Sequence, residues 1–157
     1  FRKLRKNLMD DLSDLYQEII LAHNKRPRNS KPLDPCTCSA EGSNPLCGDQ
    51  LTVYVRKSED TLDEVACETD GCAISRASGS IMTTMVSGKK TNEVEALIEE
   101  TKTLLTGDEE PEVDLVEHGD MAALVGVRKF PARIKCATLA WHALEAALKG
   151  NNEATTE

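Results

Sequence analysis

Three cysteines of this chain stand in three different local contexts, and one of them is paired with a carboxylate. Cys47 and Asp49 flank Gly48, so a single turn can direct a thiolate and a carboxylate towards one point. Cys72 and Cys136 occur in separate segments farther along the chain. Three soft sulfur ligands and one hard oxygen ligand complete a tetrahedral shell that suits zinc. Because one ligand is a carboxylate, we expect this shell to release a ligand more easily than an all-cysteine structural site.

A simpler interpretation is that each cysteine is a small buried apolar residue. It is weakest for Cys47, because the neighbouring Asp49 would need a partner if it were buried. All three cysteines are predicted at boundaries between elements. Cys47 precedes a strand, Cys72 precedes a helix whose first amides favour a thiolate, and Cys136 lies in the first turns of the last helix. Spacing alone leaves the metal site and the buried-cysteine interpretation both open.

Composition restricts the class of protein. A chain of 157 residues is long enough for one domain with an apolar core. Its net charge of −8 argues against a nucleic-acid-binding surface, which depends on clustered Lys and Arg. No apolar run approaches the ~20 residues of a membrane helix, and no signal-peptide stretch follows the basic start. We expect a cytoplasmic protein, trimmed before its non-Met first residue, whose six cysteines are thiols.

Hydrophobic periodicity predicts the elements that must position the cysteines. Alternating residues predict an antiparallel hairpin with strands at 51–55 and around 65–67, and the run 71–74 is a candidate third strand. Apolar residues at helical spacing predict helices over 11–24, 74–86, 92–106, 120–124 and 136–148. Asn92 and Glu95 resemble a capping box, and Asp120 is a candidate helix cap.

The segments between these elements are predicted to be loops. Four prolines indicate a loop over 25–46, and six acidic residues indicate a mobile loop over 107–119. We expect an N-terminal extension at 1–10, a single domain at 11–150 and a frayed, flexible tail at 151–157. The predicted architecture is α+β, with a small antiparallel sheet covered by helices on one face.

Three ordered motifs carry a resemblance to a known family. Residues 44–49 read Asn-Pro-Leu-Cys-Gly-Asp, 71–75 read Gly-Cys-Ala-Ile-Ser, and 130–139 read Phe-Pro-Ala-Arg-Ile-Lys-Cys-Ala-Thr-Leu. Together with the first helix they resemble the U-type iron–sulfur cluster assembly proteins over about 12–150. The resemblance implies a three-stranded antiparallel sheet with helices on one side.

Two branches of that family differ at the residue before the third cysteine. IscU-type scaffolds carry His there and assemble a [2Fe–2S] cluster, whereas this chain has Lys135, a poor metal ligand when protonated. The interval between Cys72 and Cys136 is also longer than in the scaffold branch. Both features resemble the SufU branch of zinc-dependent sulfurtransferases.

The resemblance implies specific roles for the residues of this chain. Cys47, Asp49, Cys72 and Cys136 would ligate Zn²⁺, and Cys47 would accept persulfide sulfur from a SufS-type cysteine desulfurase. Arg128 resembles a family arginine near the site, which would stabilise the persulfide, although a solvated loop charge is an equally good interpretation. A SufBCD-type cluster scaffold is a candidate downstream partner, and no nucleic acid or membrane is expected.

Two alternatives to the sulfurtransferase remain open from the sequence. One is an IscU-like [2Fe–2S] assembly scaffold built on the same four ligands. The other is a non-catalytic domain stabilised by zinc, which the absence of paired Cys-x-x-Cys knuckles makes the least favoured.

The remaining cysteines and histidines lie outside the three motifs. Cys36 and Cys38 are interpreted as variation within the proline-rich loop, with a second thiol relay or a metal clip as alternatives. Cys67 is expected in the core, and His23 and His142 are expected to be packing or surface residues rather than ligands.

Overall fold

The computed structural model describes residues 2–107 and 115–156, which form an α+β fold with a four-stranded sheet. The helices are α1 Arg2–Lys25, α2 Ala73–Val86, α3 Thr91–Thr106, α4 Leu115–His118 and α5 Pro131–Leu148, with a 3₁₀ segment at Gly119–Lys129. The strands are β1 Cys38–Asn44, β2 Asp49–Ser58, β3 Thr61–Asp70 and β4 Glu153–Thr155.

The sheet differs from the predicted three-stranded antiparallel one. Its order is β3-β2-β1-β4, and β4 runs parallel to β1 while the other pairs are antiparallel. The predicted hairpin is confirmed as β2 and β3. The candidate strand at 71–74 is wrong, because Ala73 already begins α2.

Strand β1 lies inside the segment that was predicted to be a loop. Its inward positions carry small residues, among them Ala40 and Gly42, so the segment shows no clear alternation of hydrophobic and polar residues. A side chain at Gly42 would come within 3.1 Å of Leu139 Cδ1, so α5 packs directly on the backbone of this strand. The close approach of a distant helix, rather than local propensity, accounts for the small residues.

Strand β4 lies in the segment that was predicted to be a frayed tail. The amide of Glu41 donates to the carbonyl of Asn152 (2.8 Å), and the Thr156 amide donates to the Ser43 carbonyl (3.2 Å). Glu153 and Thr155 are polar and exposed, and only Ala154 is partly buried against the apolar core, so the strand depends mainly on its pairing with β1.

The helix limits also differ from the predicted ones. Helix α1 begins at Arg2, so the boundary predicted between residues 10 and 11 falls inside it. The backbone N-cap of α3 is Lys90, without a side-chain bond, so the predicted Asn92 capping box is not formed. Helix α4 occupies part of the predicted acidic loop, whose residues 108–114 lie outside the described ones.

Two apolar clusters hold the layers together. In the larger one, α2, α3 and α5 pack on the inward face of the sheet, where Val53, Val55 and Val65 are fully buried. In the smaller one, α2, α3 and α5 meet the 3₁₀ segment around Ile81, Leu105 and Leu124. None of the helices in the described residues is both long enough and apolar enough to span a bilayer.

Candidate metal centre

The turn between β1 and β2 carries the first two candidate ligands. Asn44 and Asp49 face each other across the hairpin, and the amide of Gly48 donates to the Asn44 carbonyl (2.9 Å). Gly48 has φ +72°, a left-handed conformation that glycine adopts without strain. The turn leaves Cys47 exposed to solvent and directs the Asp49 side chain inward, where the residue is 1% exposed.

Cys72 is the N-cap of α2. Its sulfur accepts a hydrogen bond from the amide of Ser75 (3.4 Å), and its own amide donates to Asp49 Oδ1 (2.9 Å). A Cβ atom at Gly71 would lie 2.5 Å from Asp49 Oδ1, so the carboxylate reaches this amide only because residue 71 is glycine. The helix start thus binds the Asp49 carboxylate and the Cys72 sulfur together.

Cys136 lies in the second turn of α5, which Pro131 starts at a position where a missing amide hydrogen has no cost. The residue is fully buried, and its sulfur accepts a hydrogen bond from Asn44 Nδ2 (3.4 Å). The same amide nitrogen lies 3.2 Å from Asp49 Oδ2. Asn44 therefore connects the third cysteine to the carboxylate of the hairpin.

The four candidate ligands converge on one point, and we call them the cysteine centre: Cys47, Asp49, Cys72 and Cys136. Ligand atoms of Cys47, Asp49 and Cys136 all lie within 4.8 Å of one another. The Cys72 sulfur lies beside them, 4.0 Å from Asp49 Oδ2. Residues from β2, the first turn of α2 and α5 thus meet although up to about ninety positions separate them in the chain.

The electrostatics of the centre favour an ionised Asp49 beside a protonated Cys136 in the absence of a cation. Burial acts to raise the pKa of Asp49, but hydrogen bonds from the Cys72 amide, Cys136 and Asn44 outweigh it and lower the pKa below its ordinary value. Burial, followed by hydrogen bonds with Asp49, Cys47 and Cys72, strongly raises the pKa of Cys136. A metal ion would replace the thiol protons, so binding would release them.

The donor set fits zinc. Two sulfur atoms and one carboxylate oxygen lie within 4.8 Å of one another, and the Cys72 sulfur lies outside this group but 4.0 Å from Asp49 Oδ2. The four donors together have the number and type of ligands that a tetrahedral Zn²⁺ shell requires. Asn44 and the Ser75 amide already donate to two of the sulfurs, which is the outer support that ligating groups usually have.

Arg133 is a site residue that the sequence interpretation missed. The guanidinium is hydrogen-bonded to Cys136 and lies in the field of Cys72 and Cys47, and these contacts raise its pKa. Its position three residues before Cys136 on α5 was the available signal, because residues at that spacing share a helix face. The neighbouring Lys135 is exposed.

Arg128 was predicted to act at the site, and two of its hydrogen bonds are made at the end of α3. Its Nη1 donates to the Leu104 carbonyl (2.7 Å), and its Nη2 donates to the Gly107 carbonyl. The guanidinium therefore binds the last carbonyls of α3, where a cation is favourable. A role for Arg128 in sulfur chemistry stays a prediction.

The other cysteines lie in different surroundings. Cys67 is buried in the larger apolar cluster, and burial raises the pKa of its thiol to about 11. Cys36 and Cys38 are half-buried at the start of β1. Among the described residues, neither belongs to a group of three or more candidate ligands that could hold a metal ion.

A second polar cluster joins α1, α2 and the 3₁₀ segment, and we call it the His23 cluster: His23, Ser80 and Asp120. His23 Nδ1 lies 2.7 Å from Ser80 Oγ, and Nε2 lies 2.7 Å from Asp120 Oδ2. Asp120 thus bonds to a distant histidine instead of capping a helix. The combination resembles a hydrolytic triad by residue type, but Ser80 is 3% exposed and its oxygen already accepts from the Arg28 amide (2.8 Å).

The α+β fold and the cysteine centre define a class of proteins with a candidate metal site that contains three cysteines and one aspartate. Comparison with known families agrees, since the profile described as NifU-like N terminal domain matches residues 15–137. The chain belongs to this family, and the resemblance to U-type iron–sulfur cluster assembly proteins is confirmed.

Relatives of the chain carry two different functional names. It is 40% identical over 141 residues to the iron–sulfur cluster assembly scaffold protein IscU of Streptococcus pyogenes serotype M1, covering 90% of this chain and 87% of the relative. It is 38% identical over 135 residues to the zinc-dependent sulfurtransferase SufU of Bacillus subtilis strain 168, covering 86% and 90%. The crystal structure of an iron–sulfur cluster assembly scaffold protein for the SUF system, the SufU of Fervidobacterium islandicum AW-1, superposes with a TM-score of 0.76 at 30% identity, covering 83% of this chain and 94% of the other.

Proposed function

We propose that this protein is a zinc-dependent sulfurtransferase of iron–sulfur cluster assembly, which accepts persulfide sulfur from a SufS-type cysteine desulfurase on Cys47. A relative that carries this name, 38% identical over most of both chains, supports the proposal. The position of Lys135, where the scaffold branch has histidine, supports it from the sequence.

The difference in exposure among the candidate ligands is the observation that carries the proposal. Cys47 is exposed, whereas Asp49 and Cys136 are 1% and 0% exposed and Cys72 is half-buried. A purely structural site has no need of a ligand on the surface. A persulfide relay does need one, because a partner must bring a sulfur atom to within bonding distance of the acceptor thiolate.

The residues of the centre divide into a support and a nucleophile. Asp49, Cys72 and Cys136 would hold Zn²⁺ from the buried side, and Asn44 and the Ser75 amide would orient two of the sulfurs. When bound, zinc keeps its cysteine ligands deprotonated at neutral pH. Cys47 can leave this shell without uncovering the core, because it lies in an exposed turn.

The transfer is a thiolate exchange that balances without an oxidant or a reductant. The Cys47 thiolate attacks the outer sulfur of the desulfurase persulfide, and a new S–S bond forms as the bond within the persulfide breaks. The electron pair of the broken bond leaves on the desulfurase cysteine, which becomes a thiolate. Cys47 then carries the persulfide, and a SufBCD-type cluster scaffold is the candidate recipient.

Two arginines are candidates for stabilising the anionic persulfide. Arg133 is exposed and lies in contact with Cys136, within the field of Cys47, so its charge can act on a sulfur held there. Arg128, the arginine singled out from the sequence, is the second candidate, although two of its hydrogen bonds are to carbonyls at the end of α3. Substituting each arginine in turn would show which of the two stabilises the persulfide.

Exposed apolar residues next to Cys47 and at the start of α5, the helix that carries Cys136, suit a docking partner. Leu46 precedes Cys47 and is 63% exposed, and Phe130 at the start of α5 is 60% exposed. Large exposed apolar side chains next to a reactive group are typical of interaction surfaces. They would let the desulfurase exclude water around Cys47 during transfer.

A [2Fe–2S] assembly scaffold is the second candidate function. It is favoured by the name of the relative from Streptococcus pyogenes, which at 40% identity covers 90% of this chain. The same four ligands would then hold iron. Exposed Lys135 would not replace a histidine ligand, which is the physical argument against this function.

Metal content separates the two functions, and one substitution tests the acceptor. We expect anaerobically purified protein to hold about one zinc per chain, without acid-labile sulfide or visible colour. Desulfurase turnover should rise on addition of the wild type and of Cys36→Ala, a half-buried cysteine outside the centre, but not of Cys47→Ala. Full stimulation by Cys47→Ala would contradict the relay, and a brown protein with matching iron and sulfide would favour the scaffold.

A further inference from the structure

The hydroxyl of Ser75 is fully buried and has no hydrogen-bond partner among the described residues. Such atoms are rare in native proteins, and each calls for an explanation such as a ligand or an ion. Only Trp141 Nε1 shares this property in the described part of the chain, and Trp141 belongs to the larger apolar cluster. Ser75 instead lies beside the cysteine centre.

The position of Ser75 on α2 is close to the sulfur atoms of the cysteine centre. Its amide donates to the Cys72 sulfur, and one turn farther along the same face Ser78 Oγ donates to the Ala137 carbonyl of α5 (2.5 Å). Ala137 follows Cys136 in the chain. Ser75 therefore lies between two positions on α2. One is Cys72 at the helix start, and the other is Ser78, where α2 contacts the turn of α5 that carries Cys136.

The hydrogen bond that a side chain at this helix position usually accepts is already accepted by another residue. Cys72 is the N-cap, so Ser75 is the third helical residue, whose side chain commonly accepts a hydrogen bond from the N-cap amide. Here the Cys72 amide donates to Asp49 Oδ1 instead. The Ser75 oxygen is therefore not used as an acceptor at the helix start, and the O–H donor of the same hydroxyl also has no partner among the described residues.

We propose that Ser75 is a positioning residue of the cysteine centre, whose hydroxyl donates a hydrogen bond to a metal-bound thiolate sulfur of Cys72 or Cys136. A cysteine that ligates a metal is a thiolate and only accepts hydrogen bonds. Asn44 and the Ser75 amide supply one donor to each of these sulfurs, and the Ser75 hydroxyl supplies the next. The inference rests on the proposed metal site.

Outer donors of this kind disperse the charge of the sulfur and hold it in the ligating position. Their loss typically costs 10–100-fold in metal affinity. In the metal-free protein the same hydroxyl is a buried group without a partner, and it therefore destabilises the fold. Ser75 is thus expected to have opposite effects on the two forms, whereas a serine that only packs would affect both alike.

The test compares Ser75→Ala with Ser78→Ala, a matched control whose hydroxyl is buried on the same helix and bonded to a backbone carbonyl. Metal affinity is measured by competition between each protein and a chromophoric chelator for Zn²⁺ and Co²⁺, and the cobalt form is examined by absorption spectroscopy. We expect Ser75→Ala to bind about tenfold more weakly, with its sulfur-to-cobalt charge-transfer band moved to longer wavelength. Its metal-free form should melt roughly 2–8 °C higher than the wild type.

Ser78→Ala should melt lower in both forms, with unchanged affinity and an unchanged cobalt band. If Ser75→Ala matches the wild type in both affinity and band position, the proposal about Ser75 is overturned and the proposed zinc site stands. If the wild type itself binds neither zinc nor cobalt, the proposed function fails, and the role of Ser75 fails with it.

Discussion

The cysteine centre and the His23 cluster are both polar groups that lie where helices meet the rest of the fold. They differ in whether the potentially reactive atoms are hydrogen-bonded and buried or exposed to solvent. In the His23 cluster both ring nitrogens have partners at 2.7 Å, and the Ser80 oxygen also accepts from a backbone amide. In the cysteine centre the exposed Cys47 lies at the edge of the group.

This difference separates a structural cluster from a reactive one. A serine that is buried and bonded on both sides has no lone pair or space for a substrate, so residue types that resemble a triad are not sufficient for catalysis. Cys47 combines a nucleophilic sulfur with exposure and with buried neighbours that can hold a metal. The hydrogen bonds of the candidate nucleophile and its exposure to solvent therefore distinguish the His23 cluster from the cysteine centre better than the residue types do.

The largest expected effect follows from replacing the carboxylate of the cysteine centre. Asp49→Ala removes the oxygen ligand and leaves the Cys72 amide without its acceptor. We expect zinc affinity to fall by at least about 100-fold, beyond the range for outer-shell partners. Chelator competition measures the change. Affinity within threefold of the wild type would show that Asp49 is not a ligand.

The matching change in the His23 cluster should affect stability alone. His23→Ala removes the ring that bonds to both Ser80 and Asp120, and we expect the free energy of unfolding of the metal-free protein to fall by about 3 kcal/mol. The melting temperature should drop by roughly 6–12 °C. Zinc affinity should not change. A large loss of affinity in His23→Ala would remove the distinction between the two clusters.

A smaller effect is expected for the two arginines. In Arg133→Gln, loss of the cation beside the thiols should lower the rate at which Cys47 of the metal-free protein reacts with iodoacetamide, by about 2–5-fold at low salt. Arg128→Gln should leave this rate unchanged and lower the free energy of unfolding by about 1–2 kcal/mol, because two helix-end carbonyls lose their donor. The opposite pattern would support the role that the sequence indicated for Arg128.

The smallest effect is the dependence of stability on pH. The pKa of Asp49 is lowered in the folded protein, so its carboxylate contributes stability that is present above the ordinary aspartate pKa of 3.8. This contribution is lost as pH falls through the lowered pKa. We therefore expect the stability difference between metal-free wild type and Asp49→Asn to shrink below about pH 4. Urea unfolding measured at several pH values tests this, and a constant difference would contradict it.

Patterns within short segments predicted the elements that carry the candidate ligands. Periodicity located α2 and α5, so Cys72 was expected at a helix start and Cys136 in early helical turns, where the structure has them. The alternation of Val53 and Val55 with polar residues located β2. These elements are predictable because their apolar residues repeat with the period of the element.

Strands β1 and β4 escaped prediction because neither has such a repeat. The inward side of β1 is small where α5 packs against Gly42, and β4 is polar and held by its bonds to β1. The different surroundings of two nearby arginines could not be predicted for a similar reason. Arg128 and Arg133 are five residues apart, yet one binds the end of α3 and the other contacts Cys136.

The sequence by itself determined the donor types, three thiols and a carboxylate, and placed them at the ends of elements, because these properties depend on residue identity and local periodicity. Only the tertiary structure decided which ligand remains exposed, which arginine contacts the sulfurs and which hydroxyl is left without a partner. Those properties depend on how α2, α5 and the β1–β2 hairpin pack together, and contacts between distant segments leave no local pattern in the chain.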